Sequence, residues 1–404
     1  MGKGGKIFMK RKVVSILLTA AMAATLLAGC GGSGAATEEA APAAAPAAEE
    51  AAPAAEEAPA AEEAAPAAEE AAPAEEAGAE AAAEATGGSD VSGKTFAIVV
   101  KSAGNPYFKK AIEGFTEVIE GNGGTVVVKE PSAATVDAQI TEIQSLISQG
   151  VDSISVAAND ENALQATLQE AMDAGIKVNC FDSKVNADSR QTFCNQAGIT
   201  EVGQALIDAV LDLSGGEGQY AILSATSQAT NQNSWIEAMK SIQESDSKYA
   251  GLELVEVAYG DDEPQKSTDQ AQALLSKYPD LKVICAPTTV GIAAAAKVLQ
   301  DQKSSVKLTG LGLPSEMAEY IGADDAHSCP YMFLWNPSDL AKLAAYSSIA
   351  LVNGEITGAV GDKFTAGDMG EYTLTDGGDG GSEIILGPPF QFNPDNIADW
   401  KDVY

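Results

Sequence analysis

The sequence predicts an α/β protein built from two consecutive lobes, each a parallel sheet wrapped by helices. Three observations predict it. From Lys94 onward, short apolar runs alternate with longer amphipathic stretches. The alternation restarts near Gly218 with a second set of similar length. Polar residues and prolines cluster just after several of the apolar runs, at the strand ends where open parallel sheets hold their ligands.

The first set of strands is expected at "TFAIVV", "GTVVVKE", "VDSISVAA" and "IKVNCFD", with helices over 107–120, 135–149 and 162–174 between them. Val136, Ile140, Ile143, Leu146 and Ile147 have the spacing of one buried helix face. The second set follows at "GQYAILSA", "LELVEVAYG", "LKVICAP" and "VKLTGLG", with helices over 233–245, 265–277 and 291–301. A strand leading into a helix is expected in "CPYMFLWNPSDLAKLAAYSSIALVNG", and a strand-rich tail ends in "IILGPPFQFNPDNIADW".

Two segments precede this head. Residues 1–30 have a basic start, an apolar run and a small-residue end, the pattern of a secretory signal. They close on "LAGC", which resembles the bacterial lipobox and makes Cys30 the candidate lipidation site. The apolar run is short for a membrane span of about 20 residues. Residues 31–92 are loosely repeated "AAPAAEE" blocks with fourteen Glu, one Asp and no basic residue from Gly31 to Asp90. Frequent prolines interrupt helix and almost nothing large and apolar is present, so this stretch is expected to be a disordered tether.

The formal net charge of -34 disfavours nucleic acid and anionic membrane surfaces as partners. Beyond Cys30 lie Cys180, Cys194, Cys285 and Cys329, each in or beside an apolar run. They read as core residues, with a Cys180–Cys194 bridge left open. No Cys pair has zinc-site spacing, the sole His is His327, and "DGGDGGSE" lacks the ligand spacing of an EF-hand loop. That segment reads as a flexible turn between two strands. No metal and no cofactor are expected. Nor is an enzyme: there is no G-x-S-x-G elbow, and His327 falls in an acidic loop away from the strand ends.

The strand ends carry the candidate site. Lys101 follows "TFAIVV", and Asp182 closes "VNCFDS". Pro287, Thr288 and Thr289 close "VICAPTT", and Leu313 closes "GLGLP" before Pro314. These groups, drawn from both lobes, converge on one cleft.

These residues sit in motifs that resemble a known family. "KSAGNPYF", "FDS" with "NQAG", "AILSATSQATNQNSWIEAMK", "YGDDEPQKS", "APTTVGIAAAAKVL", "TGLGLPSEM", "LWNPSDLAKLAAY" and "ILGPPFQF" run through nearly the whole head. They resemble the type I periplasmic binding proteins of ABC importers, most closely the rhamnose-importer binding proteins and more distantly the autoinducer-2 receptors. The resemblance implies two Rossmann-like lobes joined by a three-segment hinge. Residues 93–198 and 336–361 would form the N-terminal lobe, and 199–335 and 362–404 the C-terminal lobe. It also implies a lipid-anchored, monomeric substrate-binding protein on the outer face of the cell membrane. Such a protein captures a small neutral sugar by hinge closure and delivers it to an ABC permease. The alternative is a receptor that presents autoinducer-2 or a sugar for signalling. Carried over residue by residue, the autoinducer-2 site falls on Lys101, Asp182, Asn231 with Gln232, and Pro287 with Thr289. Asn231 stands where those receptors have Asp, and Thr289 where they have Ala.

A neutral deoxysugar offers hydroxyls and apolar C–H faces. Asp182 can accept from adjacent hydroxyls, and Lys101 can donate. Asn105, Asn195, Asn231, Gln232 and Asn336 can each do both. Phe108, Trp235 and Trp335 are candidates to cover the sugar faces. Tyr107 either joins them or points into the first lobe.

The lipobox reading gives the first test. Cys30→Ser should abolish metabolic fatty-acid labelling and leave the protein released or unprocessed. Labelling that persists in the variant contradicts the assignment.

Overall fold

A computed structural model describes residues 90–404. The secretory signal, Cys30 and nearly all of the proposed tether lie outside the described residues. The chain opens with β1 (Thr95–Val99), α1 (Pro106–Gly121), β2 (Thr125–Lys129), α2 (Val136–Gln149), β3 (Ser153–Val156), α3 (Gln165–Asp173), β4 (Lys177–Phe181) and β5 (Thr192–Asn195). It continues with α4 (Ile199–Ser214), β6 (Gly218–Ser224), α5 (Thr230–Ser245), β7 (Leu252–Tyr259), α6 (Pro264–Lys277), β8 (Leu281–Ala286), α7 (Thr289–Asp301), β9 (Lys307–Gly310) and α8 (Pro314–Met317). Last come β10 (Met332–Leu334), α9 (Pro337–Asn353), β11 (Lys363–Thr365), β12 (Glu371–Thr373), β13 (Thr375–Asp376), β14 (Ser382–Ile385), β15 (Phe390–Phe392) and α10 (Ile397–Trp400).

Two parallel sheets result. The first has the order β13-β14-β5-β4-β3-β1-β2, with only β13 antiparallel to its neighbour. The second has the order β7-β6-β8-β9, all parallel. In both sheets the chain steps to one side after its first strand and then crosses to the other. This switch lies between β1 and β3 in one sheet and between β6 and β8 in the other. At such a point adjacent connections leave in opposite directions and open a crevice beyond the strand ends. The central strands are continuous apolar runs because helices cover both faces; in β1, Phe96 to Val99 are fully buried.

The chain passes between the sheets three times: after β5, after β10 and after β14. Both helices that begin at the mouth of the crevice are started in the same way. Asn105 caps α1 by accepting from the Tyr107 backbone N–H, and Asn336 caps α9 by accepting from those of Ser338 and Asp339. Each cap is followed by Pro at the first helical position, where its missing N–H costs nothing. α1 and α9 then pack closely because Gly114 has no side chain; a Cβ there would collide with the Ser338 carbonyl and hydroxyl.

Several expectations need correction. The first lobe takes in residues before 93: Val91 is buried in the core, and its backbone N–H donates to the Asn122 carbonyl. The tail 362–404 does not lie wholly with the second sheet. β14 pairs in parallel with β5 of the first, Glu383 opposite Phe193, because β5 would otherwise leave an open edge. Only the final stretch crosses over, where β15 pairs antiparallel with β10 and Tyr404 accepts from the Ser315 backbone N–H. The third crossing therefore lies between β14 and β15. α5 begins at Thr230 rather than residue 233, which puts Asn231 and Gln232 on its first turn. Cys180 and Cys194 are free thiols, as are Cys285 and Cys329. Burial pushes the Cys180 thiol up to about 11 and those of the other three higher still.

The turn "DGGDGGSE" is held rather than loose. Asp379 accepts from Arg190 Nη2 through both oxygens, at 2.9 and 3.0 Å, and from the Gly381 backbone N–H. Lys184 lies 3.4 Å away. Arg190, itself buried, also donates to the Val185 carbonyl in the turn that follows Asp182. Burial pushes the Asp379 carboxyl up, but the Arg190 and Gly381 hydrogen bonds together with the Arg190 and Lys184 charges outweigh it and leave the pKa below the usual range. Asp379→Ala leaves a buried guanidinium without its counter-charge. The variant should lose about 3 kcal/mol of stability in denaturant melts at neutral pH. The wild-type advantage should fade as pH falls through that depressed pKa. Unchanged melts at neutral pH would contradict the anchoring role.

Candidate functional site

The end of β1 is fixed from behind. Gln139 donates to the Val100 and Ala157 carbonyls and accepts from the Asn159 backbone N–H, while Asn159 Nδ2 donates to the Lys101 carbonyl at 3.0 Å. Every one of these groups is buried, so each bond replaces water that is absent. Lys101 is thereby aimed away from the first sheet. Asp182 leaves β4 on a left-handed backbone, φ +61°, which turns its carboxylate toward the same space. Asn231 arrives from the first turn of α5.

These three close a triangle across the crevice. Lys101 Nζ lies 3.2 Å from Asp182 Oδ2 and donates to Asn231 Oδ1 at 2.9 Å. Asn231 Nδ2 donates to Asp182 Oδ2 at 3.2 Å. All three side chains are buried. An amide at Asn231 can complete both bonds, since it donates to the carboxylate and accepts from the ammonium, whereas a carboxylate there could only accept.

An aromatic wall stands beside the triangle. Trp335 Nε1 donates to the Tyr107 hydroxyl at 2.8 Å. Trp235 and Trp335 lie 5.6 Å apart at 57°, and Tyr107 meets Phe108 edge-on at 5.2 Å. Burial, with the nearby Asp182 charge, pushes the Tyr107 hydroxyl well above its ordinary pKa, so it stays protonated. The other wall is Asp262, Pro287, Thr288, Thr289, Leu311 and Leu334. Thr288 Oγ1 donates to Asp262 Oδ1 at 2.5 Å. Together these residues line one small cavity between the strand ends of the two sheets. Gln232 Oε1 is buried against it without a hydrogen-bond partner, an acceptor left for a ligand donor.

Eleven of the residues singled out from sequence line this cavity: Lys101, Asn105, Tyr107, Phe108, Asp182, Asn231, Gln232, Trp235, Pro287, Thr289 and Trp335. Three do not. Asn195 lies in an adjoining space and donates to Glu383 at 3.1 Å, a partner brought by the β14 pairing. Leu313 is buried in the core at the start of α8. Asn336 spends its side chain capping α9 and on Asp339. Four lining residues lay outside the candidate site set: Asp262, Thr288, Leu311 and Leu334. Asp262 follows the end of β7, so the strand-end rule applied to "YGDDEP" would have found it. Thr288 had been noted only as a strand end.

Comparison with known proteins adds to this geometry. The family described as periplasmic binding protein domain matches residues 96–356. An ABC transporter solute binding protein from Clostridium phytofermentas, solved with bound L-rhamnose, is 59% identical, with 78% of this chain and 100% of that one covered and a TM-score of 0.77. LsrB from Clostridium saccharobutylicum, solved in complex with AI-2, shares the fold at 21% identity and a TM-score of 0.69, over 76% of this chain and 99% of that one. A D-ribose/D-allose-binding protein from Pseudomonas aeruginosa is 27% identical over 210 residues, 47% of this chain and 61% of that protein. The chain thus matches about three fifths of the length of that curated relative. These relatives bind solutes and are not enzymes.

The aromatic wall gives a stability test. Tyr107→Phe removes the acceptor of a buried indole N–H. The variant should keep its fold and lose about 1–3 kcal/mol in ligand-free melts. An unchanged melting temperature would mean that the Trp335 bond contributes nothing.

Proposed function

The chain belongs to the periplasmic binding protein family, and from that premise we propose that it captures a small neutral sugar of the rhamnose type for an ABC importer. The observation that carries this reading is the Lys101–Asp182–Asn231 triangle beside the aromatic wall. A carboxylate, an ammonium and an amide suit the hydroxyls of a sugar, and the indole rings suit its C–H faces and methyl group. The 59% identity to the L-rhamnose-bound relative supports the same ligand class. Asn231 and Thr289, which differ from the autoinducer-2 pattern, weigh against autoinducer-2 as the ligand.

In this reading the halves open about the three crossings and close over the sugar. The protein acts as a monomer on the outer face of the cell membrane, held there through Cys30 and the acidic tether, and hands its ligand unchanged to a membrane permease. Among the described residues no helix is long and apolar enough to cross a membrane; the proposed anchor lies in the region before them.

A thermal-shift panel tests the ligand class: L-rhamnose, other deoxyhexoses, pentoses and autoinducer-2. A true ligand at 100 times its dissociation constant should stabilise the protein by about 2.7 kcal/mol. L-rhamnose or a close deoxyhexose should give the largest shift. A shift with autoinducer-2 alone, or with nothing in the panel, would overturn the proposal.

A further inference from the structure

Resting on the sugar-binding reading, we propose that Asp262 is a second sugar-binding carboxylate and determines specificity at the edge of the ligand opposite Asp182.

The backbone is shaped to present it. Asp261 and Asp262 are both left-handed, each with φ +54°, a conformation uncommon outside glycine and easiest for Asp and Asn. The turn sends the two carboxylates in different directions. Asp261 pairs with Lys266 on α6, while Asp262 lines the cavity. Thr288 then fixes it. This residue immediately precedes α7, where a threonine hydroxyl ordinarily accepts a backbone N–H of the helix it starts. Here it makes no such cap and instead donates to Asp262 Oδ1. A helix cap is forgone in favour of one carboxylate orientation.

Charge decides what that carboxylate suits. Among the described residues, the charged groups that line the cavity are Asp182, Asp262 and one cation, Lys101, which pairs with Asp182. Among the described residues, Asp262 has no ion-pair partner. Its pKa is pushed up, chiefly by burial, while the Thr288 bond and the Lys101 charge oppose the shift and the Asp182 charge adds to it. A half-buried carboxylate on the cavity wall, with only one oxygen held by Thr288, favours hydrogen-bond donors and repels anions. Asp182 belongs to the first lobe and Asp262 to the second. A sugar held by both must offer hydroxyls on two opposite edges, so the cleft selects neutral polyols and rejects sugar acids.

Asp262→Asn tests this, since Asn keeps the shape and tolerates the same backbone. Titration calorimetry would compare wild type and variant with L-rhamnose and its 2-, 3- and 4-monodeoxy analogues. Loss of a charged acceptor should weaken L-rhamnose about 10- to 100-fold. The variant should also lose its discrimination against the one or two analogues that lack the hydroxyl read by Asp262, and retain it against the rest. The ligand-free melting temperature should not fall, since the replaced charge was penalised by burial. Should the variant not fold, Thr288→Val frees the same carboxylate and should show the same analogue pattern with a smaller loss. Unchanged affinity, or uniform weakening across all analogues, overturns the inference while the sugar-binding reading stands. A wild type that binds none of these sugars overturns both.

Discussion

The buried ion pair between Lys101 and Asp182 is the constraint on which the rest of the site depends. Withdrawing two charges from water costs several kcal/mol per ion, and mutual attraction offsets this only with good geometry and further hydrogen bonds. Asn231 supplies those bonds, and it comes from α5, which follows the first strand of the other sheet. The pair therefore ties the two lobes together at the point where the strand order of each sheet opens a crevice. Gln139 and Asn159 behind Lys101, and the left-handed backbone at Asp182, keep the charges where Asn231 can reach them.

The same arrangement accounts for selectivity without catalysis. Each buried donor or acceptor in the cavity has a partner, or, like Gln232 Oε1, waits for one. A ligand that lacks a matching hydroxyl leaves such a group unpaired at a cost of about 1–3 kcal/mol. The aromatic rings add area and shape, while the polar groups set orientation. Asn231 illustrates the economy: one amide satisfies an ammonium and a carboxylate at once, which no acidic residue could do in its place.

Much of this was legible in the sequence, for physical reasons that particular residues show. Lys101, Asp182 and Pro287 were found because parallel strands end where ligands bind, and apolar runs mark those ends clearly. Asn231 and Gln232 came only through the resemblance, since nothing local distinguishes a polar pair on a first helical turn. Asn336 was misassigned because a cap and a ligand contact call for the same side chain. Leu313 lies two residues too far along its loop, and Leu311 takes the place at the cavity. The β14 pairing with β5 could not be read locally, because it joins residues far apart in sequence. That pairing in turn explains Asn195, whose side chain is taken by Glu383. Asp262 was available to the strand-end rule but hidden in an acidic run that resembles an ordinary solvated turn.

The most direct test of the account is the affinity of Asp182→Ala for L-rhamnose by titration calorimetry, beside wild type. The account predicts saturable one-to-one binding by wild type and a loss of roughly two to four decades in the variant, from two charge-assisted hydrogen bonds at about 1.5–3 kcal/mol each. Near-normal affinity in the variant would contradict it, since the ligand would then lie somewhere other than the cavity that Lys101, Asp182 and Asn231 enclose.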